Sequence, residues 1–348
     1  MSIKVAIIGV GNCAKSLVEG VAYYSQKDIN NYGLMHQYIG HYQVKDIEFV
    51  AAFDVDDRKV GLELSEAISA IPNNTKQLSI PLDYNVIVKR GPTFDSIIPE
   101  LRKYFIQESK QPSVNIVNEF KKSKTDIVVN FLPTGSNQAT YAYAEAALSA
   151  GCHFINCIPT VLARNQEWQK RFESKDLILI GDDVKSQCGA TIVNRLILSL
   201  FGLRGIKLLH SEQINFGGNA DHFNLQYRPE AKESTKEESL SSVLIDHTVK
   251  PNACMVFTQQ NYDHKRAEIK VNGEIFGGAP VSIKVTLDDE DSPNSAGVVV
   301  DAIRATKVLS DKRNYAEASN ISSFLMKAPP KQFSEEKAAL IFNQIVET

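Results

Sequence analysis

No stretch of this 348-residue sequence is apolar over the roughly 20 residues that a membrane-spanning helix needs. Neither sign of charge dominates, since 38 Lys and Arg against 41 Asp and Glu leave a formal net charge of −3. That balance gives no reason to invoke nucleic acid or an anionic membrane as a partner. Cysteine is scarce and scattered. Cys13, Cys152, Cys157, Cys188 and Cys254 are odd in number and form no C-x-x-C pair, which argues against a disulfide framework and leaves a zinc site without ligands at readable spacing. Reduced thiols in a cytoplasmic protein are the expectation. Repeats, low-complexity linkers and a secretory leader pattern are missing as well. What remains is ordinary for a globular protein, 43% hydrophobic and 23% charged, with length enough for two domains and a large core.

The chain is organised around residues 4–17. An apolar run from Val5 to Ile8 ends in Gly9-Val10-Gly11-Asn12-Cys13-Ala14, after which apolar residues recur at helical spacing (Ala14, Leu17, Val18, Val21). This is a buried strand, a tight turn and a helix whose first N–H groups face outward, the fingerprint of a dinucleotide-binding turn. Gly9 suits the turn, Gly11 the close approach of a pyrophosphate, and Ala14 tight packing of helix on strand. Asp54, at the end of the next apolar run, stands where a ribose-binding carboxylate belongs and favours NAD over NADP. It comes late, because residues 23–46 form an inserted excursion, read as part of a lid or a subunit contact. Asp56 and Asp57 could instead cap a helix over residues 58–70.

From residue 124 strands and helices alternate: strands at 125–132, 153–157 and 177–180, helices at 137–150 and 161–173. This predicts a parallel, doubly wound sheet. The middle, residues 73–122, is harder to read beyond a helix at 96–105. After residue 205 the pattern changes. Residues 267–273 and 281–287 alternate apolar and polar, as half-exposed antiparallel strands do, with Asn272-Gly273 as the turn. Helices are expected at 232–245, from 295 or 296 onward, and over 335–345 behind a Ser334 cap. The fold class is therefore α/β, a Rossmann-type doubly wound parallel sheet with an inserted, mostly antiparallel α+β catalytic and oligomerisation domain. Residues 1–200 and 293–348 form the first part and 201–292 the second. A half-exposed sheet wants its other face covered, so a homotetramer, or at least a dimer, is expected.

Four clusters carry candidate chemistry, each with a plain alternative. Residues 181–191 place Asp183, Ser186, Gln187 and Thr191 at a helix start that suits an anion or is simply a cap. Residues 215–222 hold Asn215, Asn219 and Asp221, or are only a wide turn. Residues 288–297 are rich in carboxylates, a metal site or a solvated loop. Lys232, Lys236, Lys265 and Lys327 complete the set, although isolated lysines usually face solvent.

Taken together the clusters resemble the inositol-phosphate synthase family, in its shorter archaeal and actinobacterial form. Gly-Val-Gly-Asn-Cys-Ala-Lys-Ser-Leu, Ala-Ala-Phe-Asp-Val-Asp, Gly-Asp-Asp-Val-Lys-Ser-Gln, Gly-Gly-Asn-Ala-Asp, Asp-Ser-Pro-Asn-Ser-Ala-Gly and Leu-Met-Lys-Ala-Pro-Pro occur in the family's order. The resemblance spans residues 3 to about 330. It implies a redox-neutral cyclisation of glucose 6-phosphate with bound NAD. It places the catalytic groups on Lys232, Lys236, Lys265, Lys327, Asp183 and Asp221, and the substrate contacts on Ser186, Gln187, Asn215 and Asn219. Cofactor contacts fall on Gly9, Gly11, Asn12, Cys13, Ala14, Asp54, Pro133, Asp291 and Ser292. A divalent or monovalent cation near Asp183 or residues 288–291 is left open. The competing readings are a dehydrogenase of the homoserine or dihydrodipicolinate type and an NAD-binding sensor without turnover.

Overall fold

The computed structural model describes residues 2–347 other than 28, 79, 95–96, 228–229 and 245–247, and for residues 230–235 the backbone alone. Six short apolar segments build the first sheet: β1 (Ile3–Ile8), β2 (Ile47–Asp54), β3 (Val88–Arg90), β4 (Ile127–Asn130), β5 (His153–Asn156) and β6 (Leu179–Ile180). All pair in parallel, in the order β3-β2-β1-β4-β5-β6. The winding reverses between β1 and β4, and the crevice that opens there is where such sheets bind ligands. Helices cover both faces. On one, helices Asn12–Tyr24, Asp291–Asp311 and Glu335–Val346 share a core with Ile3, Val5 and Ile7. On the other, helices Ile116–Ser123, Asn137–Ala150 and Gln166–Glu173 pack on Ala6, Ile8 and Phe53. The chain's last helices thus return to the first sheet.

Local signals set several boundaries. Gly151 ends its helix with φ +80°, and the Ser334 hydroxyl accepts the Lys337 N–H at the start of the last helix. Elsewhere tertiary contacts override the local pattern. In place of a helix over 58–70 only Leu64–Ala67 is helical. Gly61, at φ +92°, and Leu64 send their N–H groups to the carbonyls of Val88 and Val86, which draws the segment alongside β3. Residues 162–164 are unwound because their three N–H groups converge on the Asp182 carboxylate at 3.0, 2.9 and 3.2 Å. The helix at 161–173 therefore shortens to Gln166–Glu173, capped by Asn165.

The excursion after helix Asn12–Tyr24 folds onto its own chain. His36 Nδ1 lies 2.5 Å from Asp301, Tyr42 donates to Asp311 at 2.5 Å, and the Gly40 N–H donates to the Val346 carbonyl. These contacts join it to helices Asp291–Asp311 and Glu335–Val346.

The second sheet contains β7 (Lys207–Gly217), β8 (Asn252–Phe257), β9 (His264–Glu274) and β10 (Pro280–Glu290), in the order β10-β9-β7-β8. β9 runs antiparallel to both neighbours, while β7 and β8 are parallel. The β9–β10 turn is not Asn272-Gly273. Both residues lie within β9, and the chain reverses at Phe276–Gly278. Gly273 is needed for closeness: a Cβ there would stand 2.5 Å from the Lys207 carbonyl and 2.7 Å from Phe201. Helix Ala190–Leu203 contributes Leu198 and Phe201, and helix Glu230–Ser241 Leu240, to a core with Ala267, Ile269 and Val271.

Burial of one titrating side chain gives the fold a pH dependence. His153, on β5, holds Ser310 Oγ at 2.9 Å through Nε2 and accepts the Ile178 N–H at Nδ1. Burial, assisted by the Lys307 charge, pushes the imidazole down to about 4. Between that value and the unfolded value near 6.5 the unfolded chain binds the extra proton, so this contribution is complete above about pH 6.5 and is lost as pH falls toward 4. It amounts to about 3 kcal/mol at most. Urea unfolding of the native chain and His153→Gln should show a stability difference that shrinks from pH 7 to pH 4.5. A difference independent of pH would assign the acid lability to other groups.

Candidate active site

A single cavity lies at the C-terminal ends of β1, β2, β4, β5 and β6 and extends under the second sheet. Its first half is built by the glycine turn. The Gly9 N–H donates to the Phe53 carbonyl at 2.8 Å, φ is +87°, and a Cβ would meet the Phe131 carbonyl oxygen at 2.7 Å. Only glycine fits there. At Gly11 a Cβ would have no atom within 4 Å, so open space stands before the N-terminus of helix Asn12–Tyr24. Backbone N–H groups and a helix dipole facing such a space favour phosphate. Ala14 is fully buried behind the turn and is absent from the lining.

Asp54 ends β2 beside this space. Its carboxylate accepts N–H groups from Val10 at 2.8 Å, Val55 at 2.7 Å and Asp56 at 3.0 Å. Lys59, almost fully buried, donates to the Val10 carbonyl at 2.7 Å and lies 3.9 Å from Asp54. Burial pushes its ammonium below the usual lysine value, and Asp54 draws it back up. Phe53, Pro92, Leu101, Phe105, Pro133 and Tyr143 give the same cavity an apolar lining.

The second half is where distant segments converge. Backbone bonds join Asp182 to Ala328 in both directions at 3.0 Å, and the Lys327 N–H reaches the Asp183 carbonyl at 2.6 Å. This short pairing sets the two side chains together, Lys327 Nζ donating to Asp183 Oδ1 at 2.9 Å. Lys265, on β9, donates to Asp291 at 2.5 Å at the start of helix Asp291–Asp311. Lys236 is buried on helix Glu230–Ser241, with Nζ 2.6 Å from Met255 Sδ. Lys236, Lys265 and Lys327 all line the cavity. Lys232 belongs to the same helix, but its side chain lies outside the described residues.

Asp221, Asn215, Asn219 and Ser186 also line the cavity. Asp221 accepts the Thr134 hydroxyl at 2.7 Å, and Asn215, on β7, donates to the Cys254 carbonyl at 3.0 Å. Asn219 caps helix Ala220–Leu225 by accepting the His222 N–H at 3.0 Å. Ser186 and Thr191 flank the N-terminus of helix Ala190–Leu203. Asn294 clamps that loop, bonding both the N–H and the carbonyl of Cys188 at 2.9 Å. Gln187 is not brought in. Its amide donates to the Gly33 carbonyl at 2.8 Å, and it is absent from the lining.

Sequence reasoning missed the group that ties the two halves together. Asp263 is buried and its Oδ1 accepts Asn12 Nδ2 and Asn219 Nδ2, each at 3.1 Å, and Ser292 Oγ at 2.9 Å. Its Oδ2 takes the Ser292 N–H at 3.1 Å. Burial, then the charge of Asp291, raises its pKa. Burial and the same two carboxylates push the Cys13 thiol up to about 12, so Cys13 stays neutral. Asp263 stands alone among acids in its local sequence and carried no motif; only its placement reveals it. Among the described residues no three His, Cys, Asp or Glu side chains are arranged to hold a metal.

The arrangement can bind a dinucleotide at one end and an anionic, multiply oxygenated molecule at the other. Cations are aimed at the inner oxygens, and carboxylates hold those cations in place.

The family model described as myo-inositol-1-phosphate synthase matches residues 189–292. The inositol-3-phosphate synthase of Mycolicibacterium smegmatis is 40% identical, covering 99% of this chain and 98% of its own. That of Corynebacterium glutamicum is 40% identical over 97% of this chain and 96% of its own. A crystal structure of a myo-inositol-1-phosphate synthase-related protein from Thermotoga maritima shares the fold, with a TM-score of 0.84 at 22% identity over 100% of this chain and 99% of that one. On identity that runs nearly end to end, this chain belongs to the myo-inositol-1-phosphate synthase family.

Proposed function

We propose that this protein is an NAD-dependent isomerase that cyclises D-glucose 6-phosphate to 1D-myo-inositol 3-phosphate. The observation that carries the reading is the opening of a dinucleotide-binding turn and three lysine side chains onto one cavity. In the reaction C5 of the sugar is oxidised and C6 then loses a proton. The resulting enolate adds to the C1 aldehyde, and the C5 ketone is reduced again. Starting material and product are at the same oxidation level.

The residues present fit NAD. The space before Gly11 takes the pyrophosphate against helix N–H groups, and Asp54 Oδ2, which accepts a single N–H, has a lone-pair site left for a ribose hydroxyl. When bound, NAD supplies the hydride acceptor for the first step and the donor for the last. On the substrate side, Ser186 and the N-terminus of helix Ala190–Leu203 receive the phosphate, with Asn215 and Asn219 along the sugar chain. A lysine takes the C5 hydroxyl proton. Neighbouring ammonium groups disfavour one another's charge, which lets one of them act as a base while the others face the enolate and alkoxide oxygens. Asp183 and Asp291 orient Lys327 and Lys265 for these tasks, and Asp221 the region around Thr134. Asp183 and Asp291, the acids that would be drawn to a cation, already hold lysines.

The outward face of the second sheet, with Val256 exposed and Ile214 and Phe216 half-buried, supports association of copies through that face, and the assembly proposed is a homotetramer. Sedimentation should report a mass about four times that of the chain.

Three measurements test the reading. Lys265→Met and Lys327→Met keep side-chain length and remove charge, so cyclisation should fall by about a hundredfold or more while NAD binding persists. Near-normal turnover in both would take them out of the chemistry. Asp54→Ala removes a charged acceptor and the anchor of the Val10 N–H. NAD affinity should fall by roughly tenfold or more, in line with 1.5–3 kcal/mol for such bonds, as read by calorimetry. Unchanged affinity would shift the ribose contact elsewhere. Lastly, glucose 6-phosphate deuterated at C5 should give inositol phosphate that keeps the label there, with no build-up of NADH. A stoichiometric rise in NADH absorbance with an oxidised sugar product would establish a dehydrogenase instead.

A further inference from the structure

The group that holds the lysine helix lies outside the cavity. Arg195, on helix Ala190–Leu203, has no exposed surface, and its guanidinium is engaged on every side. Nε donates to Glu335 Oε1 at 2.6 Å and Nη2 to the Phe333 carbonyl at 2.6 Å. Nη1 donates to the Ser239 carbonyl, to Ser239 Oγ at 3.3 Å and to Ser242 Oγ at 2.7 Å. Ser239 and Ser242 close the C-terminal end of helix Glu230–Ser241, which carries Lys236. The Glu335 carboxylate has a second partner. Lys185 Nζ reaches its two oxygens at 3.1 and 3.2 Å and donates to the Ser323 carbonyl at 2.9 Å. Lys185 sits between Asp183 and Ser186, both in the cavity wall.

One carboxylate from the last helix therefore touches the anchor of the lysine helix and the anchor of the phosphate-facing loop. We propose that Glu335 and Arg195 are positioning residues for the cyclisation, a latch that sets helix Glu230–Ser241 and the Asp183–Ser186 loop at a fixed distance across the cavity. This rests on the function proposed above, in which Lys236 and Asp183 act on the sugar phosphate. A purely stabilising role is the weaker account. Desolvating the Arg195 and Lys185 charges offsets much of their attraction to Glu335, so the cluster adds little over an apolar one of the same shape, although losing one member would leave the others uncompensated. Directed bonds to one end of one helix do define its position, and an error of 1 Å in a catalytic group can cost about a hundredfold in rate. Arg164, which donates to Glu238 at 2.6 Å, secures the same helix from the solvent side.

The test pairs Glu335→Gln, which keeps volume, with Ser242→Ala, which removes the bond from Arg195 and the hydroxyl's bond to the Ser239 carbonyl. Hydrogen exchange of peptides covering residues 230–241 and 3–8 reports position and global stability separately. Steady-state kinetics with glucose 6-phosphate and calorimetry with NAD complete the set. In Glu335→Gln, exchange in 230–241 should quicken about tenfold more than in 3–8, whose own change reports the global stability lost when the buried Arg195 and Lys185 give up their carboxylate. The rate constant kcat should drop about ten- to a hundredfold with NAD affinity held within about twofold. Glu335→Asp should recover part of kcat, and Ser242→Ala should move the same quantities less. Uniform faster exchange across both peptides with kcat intact would make the cluster merely structural and overturn the proposal. If Glu335→Gln does not fold, unaltered exchange and kcat in Ser242→Ala overturn it equally. Absence of turnover in the native chain would instead refute the proposed function, and the exchange comparison would still decide whether the latch holds the helix.

Discussion

Three backbone hydrogen bonds between residues 182–183 and 327–328 hold the site together. They pair the end of β6 with a segment 144 positions later and, continued by the Lys185 N–H on the Leu325 carbonyl, bring Lys327 to Asp183. Either side chain by itself would be a poorly solvated charge at the edge of a cavity. Together they form a charge-assisted bond whose geometry the backbone dictates. At the other end β1, its turn and its helix are consecutive, and the bonds from Gly9 to Phe53 and from Val10 to Asp54 join them to β2.

Buried carboxylates do the remaining wiring. Asp182 gathers the N–H groups of residues 162–164 and the Asn156 amide, and burial still pushes it up to about 6. Asp263 gathers the glycine turn, the substrate-side loop and the start of helix Asp291–Asp311. Each is a carboxyl group surrounded by directed donors, the condition under which burial of such a polar group is tolerated. Each also stands at a junction where a loop would otherwise have several possible courses. Apolar packing makes the two layers cohere, and these polar junctions decide where the loops between them lie.

Residues 33–46 show how such a junction can extend a fold. Their His36, Tyr42 and Gly40 contacts fix them to the outer helices, and their Gly33 carbonyl holds Gln187 away from the cavity. A residue that the motif places among the phosphate ligands is thereby turned to brace the loop that carries Ser186.

What the sequence determined by itself is whatever depends on near neighbours. The glycine turn after β1, the helix Asn137–Ala150 with its glycine stop, the Ser334 cap and the alternation of β9 and β10 all follow from spacing within a few residues, because sterics and periodicity act over that range. The family motifs pointed to segments whose lysines and acids, Lys232 apart, line the cavity, but spacing held no information on which of them would meet. Tertiary structure decided that β3 and helix Ile116–Ser123 form in a stretch with weak local preference. It also decided that residues 162–164 unwind, that Asn272 and Gly273 stay in a strand, and that Asp263 and Arg195 become junctions. In each case the deciding partner lies far along the chain, and a hydrogen bond or a close approach to that partner outweighs a local preference worth less than about 1 kcal/mol per residue.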